Sequence, residues 1–105
     1  MGAIFNTGVK QMEASINPKE LVSLDTTLST LMLPYLKAFK ASVQGYPSKL
    51  ESEENWRAVL DEIVWALDAK ASGEYWAWNK NQMANFERHQ KGMELLGKHF
   101  SDLWI

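Results

Sequence analysis

Hydrophobic and polar positions follow a helical period in three stretches of this chain, and turn-forming residues separate them. The first stretch runs from about Thr26 to Val43, and its apolar residues recur at spacings of three and four: Leu28, Leu31, Met32, Tyr35, Leu36, Phe39 and Val43. Asp25 is the predicted N-cap, because its carboxylate can accept hydrogen bonds from the free amides of the first turn. Pro34 removes one backbone hydrogen bond, so it predicts a kinked first helix or two helices that meet at Pro34.

The second stretch, from Ser52 to Gly73, has the clearest beginning and end. Ser52 can cap the N-terminus of a helix, and Gly73 can end it. Between them, one apolar stripe holds Trp56, Leu60, Ile63, Val64 and Leu67. At about 100° per residue, Trp65 lies about 180° from the first residue of that stripe, among Asp61 and Glu62.

The third stretch begins between Glu74 and Trp78 and can continue to Leu103, a helix of about 40 Å at 1.5 Å per residue. Its apolar stripe holds Phe86, Met93, Leu96, Phe100, Leu103 and Trp104. Gly92 and Gly97 weaken the helix and predict a bend or a close helix crossing. A long helix beside two shorter ones leaves apolar surface uncovered, so we expect self-association.

Together the three stretches predict an all-α fold. We expect a small three-helix bundle with a kinked first helix and a long C-terminal helix, in an oligomer. The 105 residues are enough for one hydrophobic core, so residues 24–105 are assigned to a single helical domain. Residues 1–23 are weakly patterned and form an N-terminal arm that is flexible or docks onto the body or a neighbouring subunit.

Composition narrows the function classes. The net charge of −2 argues against broad nucleic-acid binding, which needs Lys and Arg to neutralise phosphates. The lack of cysteine excludes disulfides and thiolate chemistry and fits a reducing cytoplasm. No apolar run approaches the roughly 20 residues of a membrane span, and the N-terminus lacks a signal-peptide layout. We therefore expect a cytoplasmic protein without membrane contact.

The search for catalytic chemistry is negative at the level of motifs. The chain has no phosphate-binding loop, no nucleophile elbow and no HExxH zinc motif. His89 and His99 are ten residues apart and point in different directions on a helix, so they cannot share a metal ion. Asp61 and Glu62 are adjacent and cannot face each other as an acid–base pair. We expect a non-enzymatic protein with no cofactor, no metal site and no catalytic residues.

Trp65 has two interpretations. The third helix can wrap that side of the second helix and bury the indole. Alternatively, Trp65 anchors a subunit or partner interface, since tryptophan is enriched at binding hot spots. On the second interpretation, Trp65, Asp61 and Glu62 are the partner-binding residues.

Three aromatic residues crowd the start of the third stretch and cannot all face one core: Tyr75, Trp76 and Trp78. They can plug the end of the bundle. They can also stack on a nucleobase, with Lys80, Arg88 or Lys91 meeting a phosphate, in a pocket between subunits. On this alternative, all six are possible ligand-binding residues.

Short motifs follow one another in a fixed order from Leu24 to Trp104. They are Leu24-Asp25, Thr27-Leu28, Leu33-Pro34, Leu36 to Lys40, Tyr46-Pro47, Trp56, Val59 to Asp61, Ile63, Trp65-Ala66, Gln90 to Gly92, Leu95, Lys98 to Phe100 and Leu103-Trp104. In this order the chain resembles a family of small uncharacterised tailed-bacteriophage proteins with the pattern LDxTL…LPxLKxFK…YP…W…LDxxIWA…QxGLxLFxKYFxxLW. Met93, Gly97 and His99 depart from the family, which often has Leu, Ala and Tyr there.

The resemblance implies a phage accessory protein that acts in the cytoplasm of the bacterial host. It includes the position of Trp65, and it implies no activity and no catalytic residue. Our first hypothesis is a homo-oligomeric protein-interaction module that engages or inhibits a host or anti-phage defence protein. The second is an oligomeric sponge that sequesters a nucleotide immune signal between subunits. The third is a virion or assembly component.

Overall fold

The fold consists of three α-helices packed against each other. The computed structural model describes residues 16–73 and 81–104, and no β-strand occurs among them. The helices are α1 (Leu24–Ser42), α2 (Glu53–Ser72) and α3 (Gln82–His99), and 3₁₀ turns occupy Pro18–Leu21, Ser48–Leu50 and Phe100–Asp102. The predicted all-α three-helix fold is therefore confirmed.

Helix α2 lies between the other two helices. It packs against both α1 and α3, whereas in the described part of the chain no Cα atom of α1 comes within 8 Å of one in α3. Accordingly, α2 has six buried residues, Trp56, Leu60, Ile63, Ala66, Leu67 and Ala69, whereas α1 has two, Ser29 and Leu36. Among the described helices, α1 and α3 therefore each have α2 as their one neighbour.

The hydrophobic core has two connected parts along α2. One contains Leu36, Ile63, Leu67 and Leu96, and the other contains Val43, Trp56 and Leu60. Val59 and Leu103 pack against both parts. Phe39 meets the ring of Trp56 edge-on, with ring centroids 6.4 Å apart. An edge-to-face pair of this kind adds to the stabilisation from burial alone.

The ends of α2 agree with the sequence prediction. The Ser52 hydroxyl accepts a hydrogen bond of 3.1 Å from the amide of Asn55, which satisfies one of the free donors of the first turn. Gly73 follows the last turn at φ +77°, in the left-handed region that glycine adopts without strain. Both ends are thus determined by residues within a few positions of the helix terminus.

The start of α1 differs from the prediction. The helix begins at Leu24 with Ser23 at the N-cap position, and the Ser23 side chain makes no capping hydrogen bond. Asp25 lies in the first turn instead, where a carboxylate still interacts favourably with the helix dipole. Its carboxylate pairs with Lys70 of α2. The Asp25 side chain, which the sequence predicts as an N-cap, therefore forms an ion pair with another helix instead.

Helix α1 runs unbroken through Pro34 and ends at Ser42. Of the two alternatives for this proline, a single helix is therefore correct.

Helix α3 is shorter than the predicted 27 residues. It starts at Gln82 and ends at His99, where the chain tightens into a 3₁₀ turn that the Leu103 amide closes on the Phe100 carbonyl. At 18 residues, α3 does not exceed the 20-residue α2 in length. Residues 74–80, which contain the predicted start, lie outside the described residues.

Helices α2 and α3 cross closely at Gly92. A Cβ atom at this position would collide with the Cβ of Ala66 and would lie 2.8 Å from the carbonyl oxygen of Glu62. Gly97 faces open space on the same helix. The close crossing predicted from the glycines of this helix is therefore confirmed for Gly92.

Part of the predicted N-terminal arm lies against α1. The turn Pro18–Leu21 is closed at its start by the Asn17 side chain, which accepts a hydrogen bond from the Lys19 amide. The Thr27 hydroxyl donates to the Glu20 carbonyl across 3.0 Å, which links the turn to the helix. Residues 1–15 lie outside the described residues, so the arm as a whole stays a prediction.

Candidate binding sites

Trp65 lies under a side chain of α3. The residue is half-buried, and the guanidinium carbon of Arg88 stands 4.1 Å from the centroid of the indole ring. The same guanidinium donates to both carboxylate oxygens of Glu62, at 2.9 and 3.0 Å. This hydrogen bonding raises the pKa of Arg88, and it holds the planar group over the ring in a cation–π arrangement. The third helix therefore covers Trp65 in part, and its role as a partner anchor stays a prediction.

The other predicted partner-binding residues also have intramolecular partners. Asp61 pairs with Lys40 of α1, whereas Glu62 pairs with Arg88 of α3. Adjacent positions on a helix diverge by about 100°, so the two carboxylates reach the neighbours on opposite sides of α2. A partner that bound Asp61 and Glu62 would have to displace these ion pairs or make additional contacts with them.

Two of the six predicted ligand-binding residues, Arg88 and Lys91, lie among the described residues. Tyr75, Trp76, Trp78 and Lys80 lie outside the described residues. Lys91 is exposed on α3, and Arg88 already donates to Glu62. A phosphate would compete with that carboxylate for the guanidinium. The nucleotide site between subunits therefore stays a prediction.

A cleft of about 300 Å³ opens where the loop after α1 meets the C-terminal turn. Its described lining consists of Val43, Gln44, Gly45, Tyr46, Pro47, Trp56, Asp102 and Trp104. Gly45, at φ +88°, turns the chain so that Tyr46 and Pro47 face the C-terminal residues. Trp56 is 1% exposed, whereas Trp104 is 74% exposed. The cleft thus combines one buried aromatic residue, Trp56, with two exposed ones, Tyr46 and Trp104.

One carboxylate is held in position at this cleft. The Nδ1 atom of His99 lies 3.0 Å from Oδ2 of Asp102, and because an ionised carboxylate only accepts, the imidazole is the donor. His99 is buried, and its ring packs edge-on to Trp56 with centroids 5.5 Å apart. The imidazole is therefore fixed by the core, and it orients Asp102 toward the cleft.

Sequence reasoning missed this cleft. Its two sides come from residues 43–47 and 102–104, and only the packed bundle brings them together. A local signal was present, since His99 and Asp102 are three positions apart and can meet within one helical turn.

A buried histidine lies near an ion pair in another part of the bundle. Burial lowers the pKa of His89, the positive charge of Lys70 lowers it further, and Asp25 opposes the shift. Lys70 in turn lowers the pKa of Asp25 by hydrogen bonding to it. The folded state therefore favours the neutral imidazole of His89.

We expect the protein to lose stability as the pH falls from about 7.5 to about 5.5. Because the pKa of His89 in the folded state is below its usual value of 6.5, the unfolded chain takes up the proton more readily. The contribution is complete above about pH 7.5 and decreases as the pH falls through 6.5, where the unfolded imidazole takes up its proton. The pKa of Asp25 is lowered from its usual value of 3.8, so Asp25 changes the stability only below about pH 3.8, outside this range. Urea midpoints should fall toward pH 5.5 in the native protein and change less in His89→Gln; equal slopes would contradict the assignment.

Helix α1 carries a second apolar side that faces away from the core. Four residues at spacings of four, three and four are exposed by 43–77%: Leu24, Leu28, Leu31 and Tyr35. Leu21 and Val22 precede them and are exposed by 55% and 85%. No charged residue occurs between positions 26 and 36. We call these six residues the α1 face.

The α1 face corrects the single stripe predicted for the first helix. Met32 and Leu36 of that stripe pack toward α2, whereas Leu28, Leu31 and Tyr35 point to solvent. The predicted stripe is wider than one neighbouring helix can cover, and α2 is the only described helix that packs against α1. Packing therefore divides the predicted stripe into a core side and an exposed side.

Comparisons with known proteins found no relationship: no family model, no curated protein and no solved structure matches the chain. Among the helices of the described residues, none combines the length and apolarity needed to cross a lipid bilayer.

Proposed function

We propose that this protein is a non-enzymatic protein-interaction module that works as a homodimer and engages a protein of a bacterial host cell. The observation that carries the homodimer is the α1 face. The cytoplasmic host setting, with a defence protein as the target, rests on the resemblance to tailed-phage proteins.

The size of the α1 face supports an interface. Its six residues lie within fifteen positions of the chain, and each of them is exposed by 43–85%. Single exposed apolar residues are normal, whereas a group of exposed apolar residues is typical of an interaction site.

The chemistry of the α1 face supports a second copy of the chain as its occupant. In a two-fold dimer the same surface of both copies is in contact, so the two surfaces carry the same net charge and a charged surface repels its own copy. Positions 26–36 hold no charged residue, so the part of the α1 face from Leu28 to Tyr35 is free of that repulsion. The spacing of four, three and four also lets two identical helices pack side by side at a small crossing angle.

The oligomeric state tests the proposal. Native mass spectrometry and light scattering at micromolar concentrations should find a dimer of the native chain. Leu28→Lys combined with Leu31→Lys places like charges at the interface, so this variant should be a monomer with unchanged helix content. Ala84→Lys, at an exposed position on α3, is the matched control and should remain a dimer. A monomeric native chain, or a double variant that still dimerises, would refute the proposal.

A further inference from the structure

The cleft between Tyr46, Trp56 and Trp104 has a composition suited to a positively charged organic group. Three of its lining residues are aromatic, and Asp102 is the only charged side chain among the described residues that line it. From this arrangement we propose that the cleft binds an alkylammonium group, such as the end of a lysine or methylated lysine side chain.

Electrostatics selects this class of ligand. The faces of aromatic rings carry negative potential, which attracts a cation within about 6 Å of the ring centroid. The carboxylate of Asp102 adds a full negative charge, and His99 holds it in position by donating a hydrogen bond to it. An anion would be repelled by Asp102, and a neutral group would gain only apolar contact. An organic cation gains from all of these groups.

The size of the cleft sets the size of the ligand. A volume of about 300 Å³ is at the lower limit of small-molecule pockets, which span about 300–1,000 Å³. This is enough for an ammonium or trimethylammonium group on a short alkyl chain. Tyr46 and Trp104 are 48% and 74% exposed, so each ring still has surface to place against a ligand. Trp56, by contrast, is held in the core and forms a fixed wall.

The cleft and the α1 face are separate parts of the surface. The cleft includes Val43 to Pro47 and the C-terminal turn, whereas the α1 face ends at Tyr35. Cation binding can therefore be present in a monomer, and dimerisation can occur with an empty cleft. The two proposals fail independently.

Titration with defined ligands tests the inference. The probes are tetramethylammonium, Nα-acetyl-Nε-trimethyllysine amide, and a short neutral-ended peptide with one trimethyllysine. Nα,Nε-diacetyllysine amide, which lacks the charge, is the control ligand. Amide chemical shifts of residues 43–47 and 102–104 report the site. We expect saturable millimolar binding of the cations and none of the neutral control. If the peptide binds more tightly than the trimethyllysine amide, the source of the cation is a protein. If the two bind equally, the source is a small organic cation.

Three variants localise the binding. Trp104→Ala removes an exposed ring and should weaken binding about tenfold. Asp102→Asn removes the charge while keeping an oxygen acceptor for His99, and should weaken binding about fivefold. Phe100→Ala, an exposed aromatic residue outside the cleft lining, should leave binding unchanged. Binding of the neutral ligand with equal strength, no saturation up to tens of millimolar, or unchanged affinity in both site variants would overturn the inference.

Discussion

Gly92→Ala is expected to destabilise the protein by about 1–3 kcal/mol, because it overfills the crossing of α2 and α3. The new methyl group would collide with Ala66, which is fully buried, and would press on the backbone carbonyl of Glu62. A backbone oxygen cannot rotate away as a flexible side chain can, so the helices must separate. Urea unfolding followed by circular dichroism measures the loss. Separation of the helices should also shift Arg88 relative to Trp65, which tryptophan fluorescence would report.

Gly97→Ala is the matched control on the same helix. A Cβ atom at Gly97 meets nothing within 4 Å, so the substitution adds helix propensity without a steric cost. We expect it to stabilise the protein by about 0.5–1 kcal/mol. Effects of the same sign and size in the two variants would show that propensity alone determines them, and the close crossing would then be wrong.

Trp56→Ala is expected to cost about 3–5 kcal/mol, the range for removing a large aromatic residue from a core. Trp56 is 1% exposed, and it contacts the rings of Phe39 and His99 from α1 and α3. The substitution leaves a cavity between all three helices. Since small domains have a total stability of about 5–15 kcal/mol, we expect a large fall in the urea midpoint.

Trp65→Ala compares the same side chain on the other side of the same helix. Trp65 is half-buried, and the guanidinium carbon of Arg88 lies 4.1 Å from the centroid of its ring. The expected loss is about 0.5–2 kcal/mol, the range of a cation–π contact. A loss as large as that of Trp56→Ala would place Trp65 in the core. A change in partner binding with little loss of stability would support its predicted role as an anchor.

Much of α2 could be predicted from the sequence because its signals are local. Ser52 caps the first turn through the amide of Asn55, and Gly73 supplies the left-handed residue after the last turn. Each interaction joins residues at most a few positions apart, so it can be recognised without knowing the fold. The start of α1 could not be predicted in this way. Asp25 has the chemistry of an N-cap, but Lys70, 45 positions further along the chain, engages its carboxylate.

The candidate sites depended still more on packing. The sequence predicted that Trp65 lies opposite the core stripe of α2, but it did not predict that Arg88 would cover the indole. Half of the α1 face, Leu28, Leu31 and Tyr35, was predicted as part of a single stripe, because periodicity alone does not show how many neighbours a helix has. The cleft joins two loops separated by more than fifty residues of chain.

By itself, the sequence determined the helical class, the three apolar stretches and both ends of α2, because these depend on periodicity and on contacts within one turn. Only the tertiary structure decided which side of each stretch is buried, since that depends on the placement of α2 between α1 and α3, whose Cα atoms do not come within 8 Å of each other. The same placement leaves the α1 face exposed and brings Asp102 and three aromatic residues to one cleft. Both proposed binding sites therefore arise from long-range packing.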